Sequence, residues 1–129
     1  MPASAYLVAK VIDLTLRNVA MSAVATAYVS LHTANPGTTG ANEIDKLTAT
    51  WYLRKAGTFP APTAGVTSNS VAIQFSAVTI AAVTVSHFGV WDAESNGNML
   101  YYGSLASSKT LNISDVPFWA IGTLQVTAV

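Results

Sequence analysis

The stretch Val83 to Leu105, VTVSHFGVWDAESNGNMLYYGSL, constrains the fold more than any other part of the chain. Val83, Val85 and His87 recur at every second position, and the run continues through Phe88-Gly89-Val90-Trp91 to stop at Asp92. A turn-rich patch, Glu94-Ser95-Asn96-Gly97-Asn98, separates it from a second apolar run, Met99-Leu100-Tyr101-Tyr102. Two β-prone runs around an Asn-Gly step predict a hairpin, because both turn residues accept the positive φ that a tight turn demands. Phe88, Trp91, Tyr101 and Tyr102 give that hairpin a large share of the available apolar area.

Upstream, Ser4 is placed to cap a helix over residues 5–18. Leu7, Val8, Val11, Ile12 and Leu14 recur at three- and four-residue spacing, with Lys10, Asp13 and Arg17 on other sides. Asp13 and Arg17 stand four apart, which suits a surface ion pair. From Ala25 the period changes to that of strands. Turn signals at Asn35-Pro36-Gly37, Pro60-Ala61-Pro62 and Ser114-Asp115 divide the rest. Strands are expected over 26–33, 51–59, 69–75, 83–91, 98–105, 109–113 and 118–128, with a Gly/Thr/Asn-rich loop after the first. The expected fold is one mainly β domain over 1–129. It is an antiparallel β-sandwich or partly open barrel of about seven strands, with one N-terminal amphipathic helix. The last strand is expected inside a sheet, since an apolar strand left at an edge invites aggregation.

Composition narrows the function. Charged residues make up 9% of the chain and hydrophobic ones 51%, and the formal charge is zero. An ordinary soluble domain carries about 25% charged residues. Beyond Arg54-Lys55 there is no basic patch, so a nucleic-acid partner is not expected. No apolar run reaches the ~18 residues of a membrane span, and no membrane partner is expected. The reading we favour is a subunit whose surface is largely covered by neighbours, since the centres of interfaces are depleted in charge. Cysteine is absent, so neither disulfides nor thiolate metal sites arise. The start, Met1-Pro2-Ala3-Ser4-Ala5-Tyr6, has no basic and apolar signal pattern, so no export signal is expected there.

A search for chemistry yields little. His32 and His87 lie in strand patterns without the spacing of a zinc site. Asp92 and Glu94, two apart at a turn, read as solvated turn residues rather than a glycosidase pair. Asp92 with Asn96 and Asn98 lacks the twelfth-position Glu of a calcium loop. Pro36-Gly37-Thr38-Thr39-Gly40 lacks the Lys of a phosphate cradle. No catalytic, metal or cofactor-binding residues are assigned, and no enzyme activity is expected. Adjacent aromatics on a strand face opposite ways, so one each of Trp51/Tyr52 and Phe118/Trp119 is expected outside. Such a residue would stack on a sugar or anchor a protein interface. The interface candidates are Trp119, Phe118, Trp51 and Tyr52, with Leu7 and Val11 on the helix.

The order of these segments, above all His87-Phe88-Gly89-Val90-Trp91-Asp92-Ala93 followed by Leu100-Tyr101-Tyr102-Gly103, resembles a family of small tailed-bacteriophage virion proteins. Its members are labelled tail-fibre-like or, in some phages, capsid decoration (cement) proteins. Where that family has a Gly-Tyr-Ala-Arg-like approach to the second strand, this chain has Thr50-Trp51-Tyr52-Leu53-Arg54, departing at the first and third positions. The resemblance implies a virion structural subunit, made in the host cytoplasm, and carries no active-site residues over to this chain. The expected role is a homo-oligomer, with a trimer favoured, that binds the major capsid protein or other virion proteins on the outer surface of the head. The alternative is a carbohydrate- or receptor-binding module of a tail or head fibre, with a host surface glycan as partner.

Overall fold

The Asn-Gly turn forms as expected. In the computed structural model, which describes residues 2–127, Asn96 and Gly97 both take positive φ, 56° and 70°. Asp92 locks the turn: its carboxylate accepts from the Asn98 backbone N–H at 2.7 Å and from Asn98 Nδ2 at 3.0 Å. A Cβ on Gly97 would lie 2.4 Å from Asp92 Oδ1, so only glycine fits.

Around this hairpin runs a four-stranded antiparallel sheet. Its strands are β1 (Ala27–His32), β2 (Lys55–Gly57), β5 (Val83–Trp91) and β6 (Met99–Leu111), in the order β2-β1-β5-β6. Two small sheets cover it, pairing β3 (Val66–Ser68) with β8 (Gln125–Thr127) and β4 (Ile73–Gln74) with β7 (Phe118–Trp119). Among the described residues no barrel closes; the arrangement is a partly open sandwich. Alternation sets the core: Val29 and Leu31 stand opposite Val90 and Phe88 and face Ile73, Phe75, Val78, Leu124 and Val126. The single helix, α1 (Ala5–Leu16), starts at Ser4, whose Oγ accepts from Leu7 N–H. Arg17 and Asp13 pair at 2.5 Å on its exposed side.

Several boundaries differ from expectation, each for a local reason. The strand expected over 51–59 is only Lys55–Gly57, because tight turns at Asp45–Ala49 and Ala49–Tyr52 fold the preceding residues inward. Over 69–75 only Ile73–Gln74 is strand. There the buried Asn69 carboxamide replaces ladder bonds, donating to Val71 and Ala120 carbonyls and accepting from Leu124 N–H. The strands expected at 98–105 and 109–113 are one, β6, in which residues 105–108 bulge opposite Ser86. The strand expected over 118–128 breaks at Gly122, where φ is 77°, into β7 and β8. Residue 128 lies outside the described residues. Instead of lying inside a sheet, β8 has one neighbour, β3, a strand that alternation over so few residues did not reveal.

The β6 end of the main sheet is closed to strand addition. Ala3 pairs with Tyr101 on the outer edge of β6, with Ser4 N–H donating to the Leu100 carbonyl and Tyr102 N–H to that of Pro2. The bulge interrupts the remainder of that edge. Burial along β4 and β7 makes a sharp contrast for a denaturation experiment. Phe75, 2% exposed, should cost about 3–5 kcal/mol when changed to Ala. Phe118→Ala, at a side chain 58% exposed, should stay within about 0.5 kcal/mol of the parent in urea unfolding of the monomer.

Candidate protein interface

Polar side chains gather where β1 outruns β2. Their pairing ends at Val29, and beyond it the β1 edge is sealed by other groups. Leu31 N–H donates to Tyr52 Oη at 3.1 Å, Ile44 N–H to the Leu31 carbonyl, and Thr33 N–H to that of Asn42. Tyr52 Oη donates in turn to Glu43 Oε1 at 2.7 Å. Arg54, only 7% exposed, grips the same carboxylate with two nitrogens: Nε to Oε1 at 2.8 Å and Nη2 to Oε2 at 2.7 Å. Its Nη1 donates to the carbonyls of Ala93 and Asn96 in the hairpin turn, and the guanidinium lies 3.5 Å over the Trp91 ring. One side chain therefore joins the 33–50 loop, the approach to β2 and the hairpin turn.

A second chain of bonds starts under the same tryptophan. Trp91 Nε1 donates to Ser30 Oγ at 2.8 Å, and Ser30 Oγ lies 2.7 Å from His32 Nε2. His32 Nδ1 lies 2.8 Å from the Ala41 carbonyl. An indole only donates and a carbonyl only accepts, so the ring carries its proton on Nδ1 and Ser30 gives its hydroxyl hydrogen to Nε2. The relay needs Gly89, where a Cβ would fall 2.8 Å from Ser30 Oγ and 3.1 Å from His32 Nε2.

The electrostatics follow. Burial lowers the pKa of His32, outweighing the opposing pull of the Ala41 hydrogen bond and the Glu43 charge. For Glu43, burial pushes upward, but hydrogen bonds from Arg54 and Tyr52 and the guanidinium charge hold its carboxyl below the usual value. Burial, then the adjacent Glu43 carboxylate, keeps the Tyr52 phenol protonated far above its ordinary range. Among the described residues no buried side-chain nitrogen or oxygen lacks a partner. Every group in this cluster is used to hold the fold, which leaves none directed at an outside molecule.

The outer surface differs in kind. No Asp, Glu, Lys or Arg occurs between residues 56 and 91, nor from 116 onward. The segments 69–80 and 112–122 run antiparallel as a ribbon, joined by the β4–β7 pairing, Phe75 N–H to Pro117 O, Val78 N–H to Asp115 O, and Gly122 N–H to Asn69 O. One side of the ribbon sends Ile73, Phe75 and Val78 into the core. The ribbon also exposes Val71, Ile80, Ile113, Val116, Phe118 and Ile121, the last at 67%. Asp115, at the end of this ribbon, turns its carboxylate back onto its own Asn112 N–H. Apolar side chains exposed along one ribbon make it the candidate contact region of this chain.

Of the side chains singled out from the sequence, Phe118 stands on this face. Trp119 is half-buried and packs on Phe75 and Phe88, with ring centroids 6.2 and 5.9 Å away. Trp51, Tyr52 and Leu7 are buried within the single chain, so in this fold their side chains serve packing and offer no surface to a partner. The expectation that one member of Trp51/Tyr52 faces outward fails because the two lie in a turn, where strand alternation does not apply. Val11 is exposed on α1 beside Val8, Ile12 and Leu14. The other ribbon residues escaped notice, although the charge-free runs from 56 to 91 and from 116 onward, which hold all of them but Ile113, were their signal.

The family model described as Podophage GP4 fiber I protein gp80 matches residues 2–127. The chain is thus a phage virion structural protein of fibre type. It belongs to the Podophage GP4 fiber I protein gp80 family. No curated protein gives a significant match.

The polar cluster makes stability depend on acid. His32 is held below its ordinary 6.5, so its contribution is complete above that pH and is lost as the pH falls through the folded value. Glu43, held below 4.5, adds a second loss further down. The urea midpoint should therefore drop from pH 7 toward pH 5 and more steeply below pH 4.5. Arg54→Met, which strands the Glu43 carboxylate, should cost about 3–5 kcal/mol at pH 7.

Proposed function

We propose that this protein is a homo-oligomeric subunit, a trimer in the arrangement we favour, seated on the outside of the phage head as a decoration protein. It works by protein–protein contact and catalyses nothing. A subunit that binds only the assembled lattice stabilises it by mass action. The observation that carries the reading is the apolar outer face of the 69–80/112–122 ribbon. It exposes large apolar side chains, carries along both strands the single charge of Asp115, which is bonded back to its own Asn112 N–H, and is backed by the core residues Ile73, Phe75 and Val78. Covering these side chains removes apolar area from water at roughly 25 cal/mol per Å².

The alternative, a glycan-binding fibre module, calls for an exposed aromatic ring beside carboxamides or carboxylates in a hollow. The hollow lined by Glu43, Arg54, Glu94 and Asn96 has the carboxylates, but its ring, Trp91, lies buried beneath Arg54. Phe118 is the one exposed aromatic side chain among the described residues; it stands opposite the Gln74 carboxamide but lines none of the three main hollows. This supports contact with protein.

The double variant Phe118→Asp/Ile121→Asp should leave the monomer's urea unfolding close to the parent, since both side chains are exposed. It should abolish self-association in light scattering and co-sedimentation with undecorated heads. Retained binding to heads, or retention of the parent on host polysaccharide with no affinity for heads, would overturn the reading.

A further inference from the structure

We propose that in the assembled protein the N-terminal arm, Pro2–Leu16, docks on a neighbouring copy instead of on the body it is joined to, linking the copies arm to sheet. This rests on the reading of the chain as a self-associating subunit. The arm's attachment is self-contained. Ala3 bridges Tyr101, Ser4 Oγ donates to the Met99 carbonyl, Ala5 N–H donates to Thr38 O at 3.2 Å, and Leu7 is buried. All of these contacts come from the arm's first few residues, and none depends on which chain supplies them. Leu7 is the arm's one buried hydrophobic residue, and the main core cluster contains no residue of the arm.

Past Leu7 the helix gains little from its own body. Val8, Val11, Ile12, Leu14 and Leu16 are exposed, on more than one side of the helix. A helix apolar on several sides belongs between two surfaces. In the exchanged arrangement α1 lies in the seam, with Leu7 against the acceptor and the remaining apolar residues against the donor.

The connection has the necessary reach. Residues 17–26 form neither helix nor strand, and no backbone hydrogen bond of the described loops involves 20–26. From its anchor at Tyr101, the helix leads roughly 18 Å away at 1.5 Å per residue. The chain must then return to Ala27, at the Trp91 end of the same sheet. A stretch of about ten residues can span roughly 33 Å, nearly twice that return. A tether needed only for the return would be shorter.

The absence of cysteine permits a direct test. Ala3 and Tyr101 form a bridge pair, and opposed residues of this kind lie about 4.5–5.5 Å apart at Cα, within disulfide range. The full-length variant Ala3→Cys/Tyr101→Cys would be oxidised, checked for fold by circular dichroism, and run denatured without reductant beside native light scattering. The expected result is an oligomer whose chains are mostly linked in multiples of the single-chain mass, collapsing to one band on reduction, with either single variant unlinked. If light scattering shows an oligomer but the oxidised chains run singly with their thiols consumed, the arm docks on its own body; exchange is then overturned while self-association stands. A monomer in light scattering removes both. Free thiols in a folded oligomer also overturn exchange, because the arm then does not sit on the β6 edge. Should Tyr101→Cys disturb the fold, Pro2→Cys/Tyr102→Cys, next along the same bridge, makes the same test.

Discussion

A single planar cation holds together the parts of this fold that regular pairing leaves apart. The 33–50 loop and the Trp51–Arg54 turn that follows it share no ladder with the 92–98 hairpin turn, whose Ala93 lies 39 residues beyond Arg54. Arg54 reaches all three, with two bonds to Glu43, two to carbonyls of the turn, and its face against Trp91. Lysine offers one point charge and could not satisfy this geometry, whereas the guanidinium fork spreads its donors in a plane. Tyr52 completes the junction by lending its hydroxyl to the unpaired N–H of Leu31. The sheet edge is thus closed by side chains where strand pairing stops.

Much of the framework was legible from local signals. Ser4 as a cap, the Asp13–Arg17 pair, the Asn96-Gly97 turn and the strands at 26–33 and 83–91 follow from residue chemistry that acts within a few positions. What escaped depends on distant partners. Trp51 and Tyr52 read as the start of a strand with one of the two facing outward, because aromatic residues favour strands, yet turns anchored by Asp45 and Ala49 direct both inward. Asn69 reads as the first residue of a strand over 69–75 and is in fact a buried bracket between 71, 120 and 124. The candidate interface was partly visible. Phe118 was found through its aromatic ring, while Val71, Ile80 and Ile121 are small enough aliphatics to pass for core. Only the folded ribbon shows which side each one takes.

The two surfaces of the molecule have different tasks. Polar side chains are spent on internal closure: Asp92 on its turn, Asp115 on its own backbone, Glu43 on Arg54. The β6 edge of the main sheet is occupied by the N-terminal segment and disrupted by the bulge in β6. A fold closed in this way avoids indiscriminate strand pairing and confines association to its apolar faces.

The scarcity of charge along the ribbon, where Asp115 alone is charged and is bonded to its own backbone, also sets how such a contact responds to its surroundings. Attraction between ions fades within about 10 Å at 0.1 M salt, and a contact built on ion pairs would loosen as a particle passed from dilute water into a salty medium. Burial of aliphatic side chains lacks that dependence, and excluded salts such as sulfate strengthen it. A virion held by this face keeps its grip across changes in ionic strength. Its weak direction is cold, where the driving force for apolar burial declines.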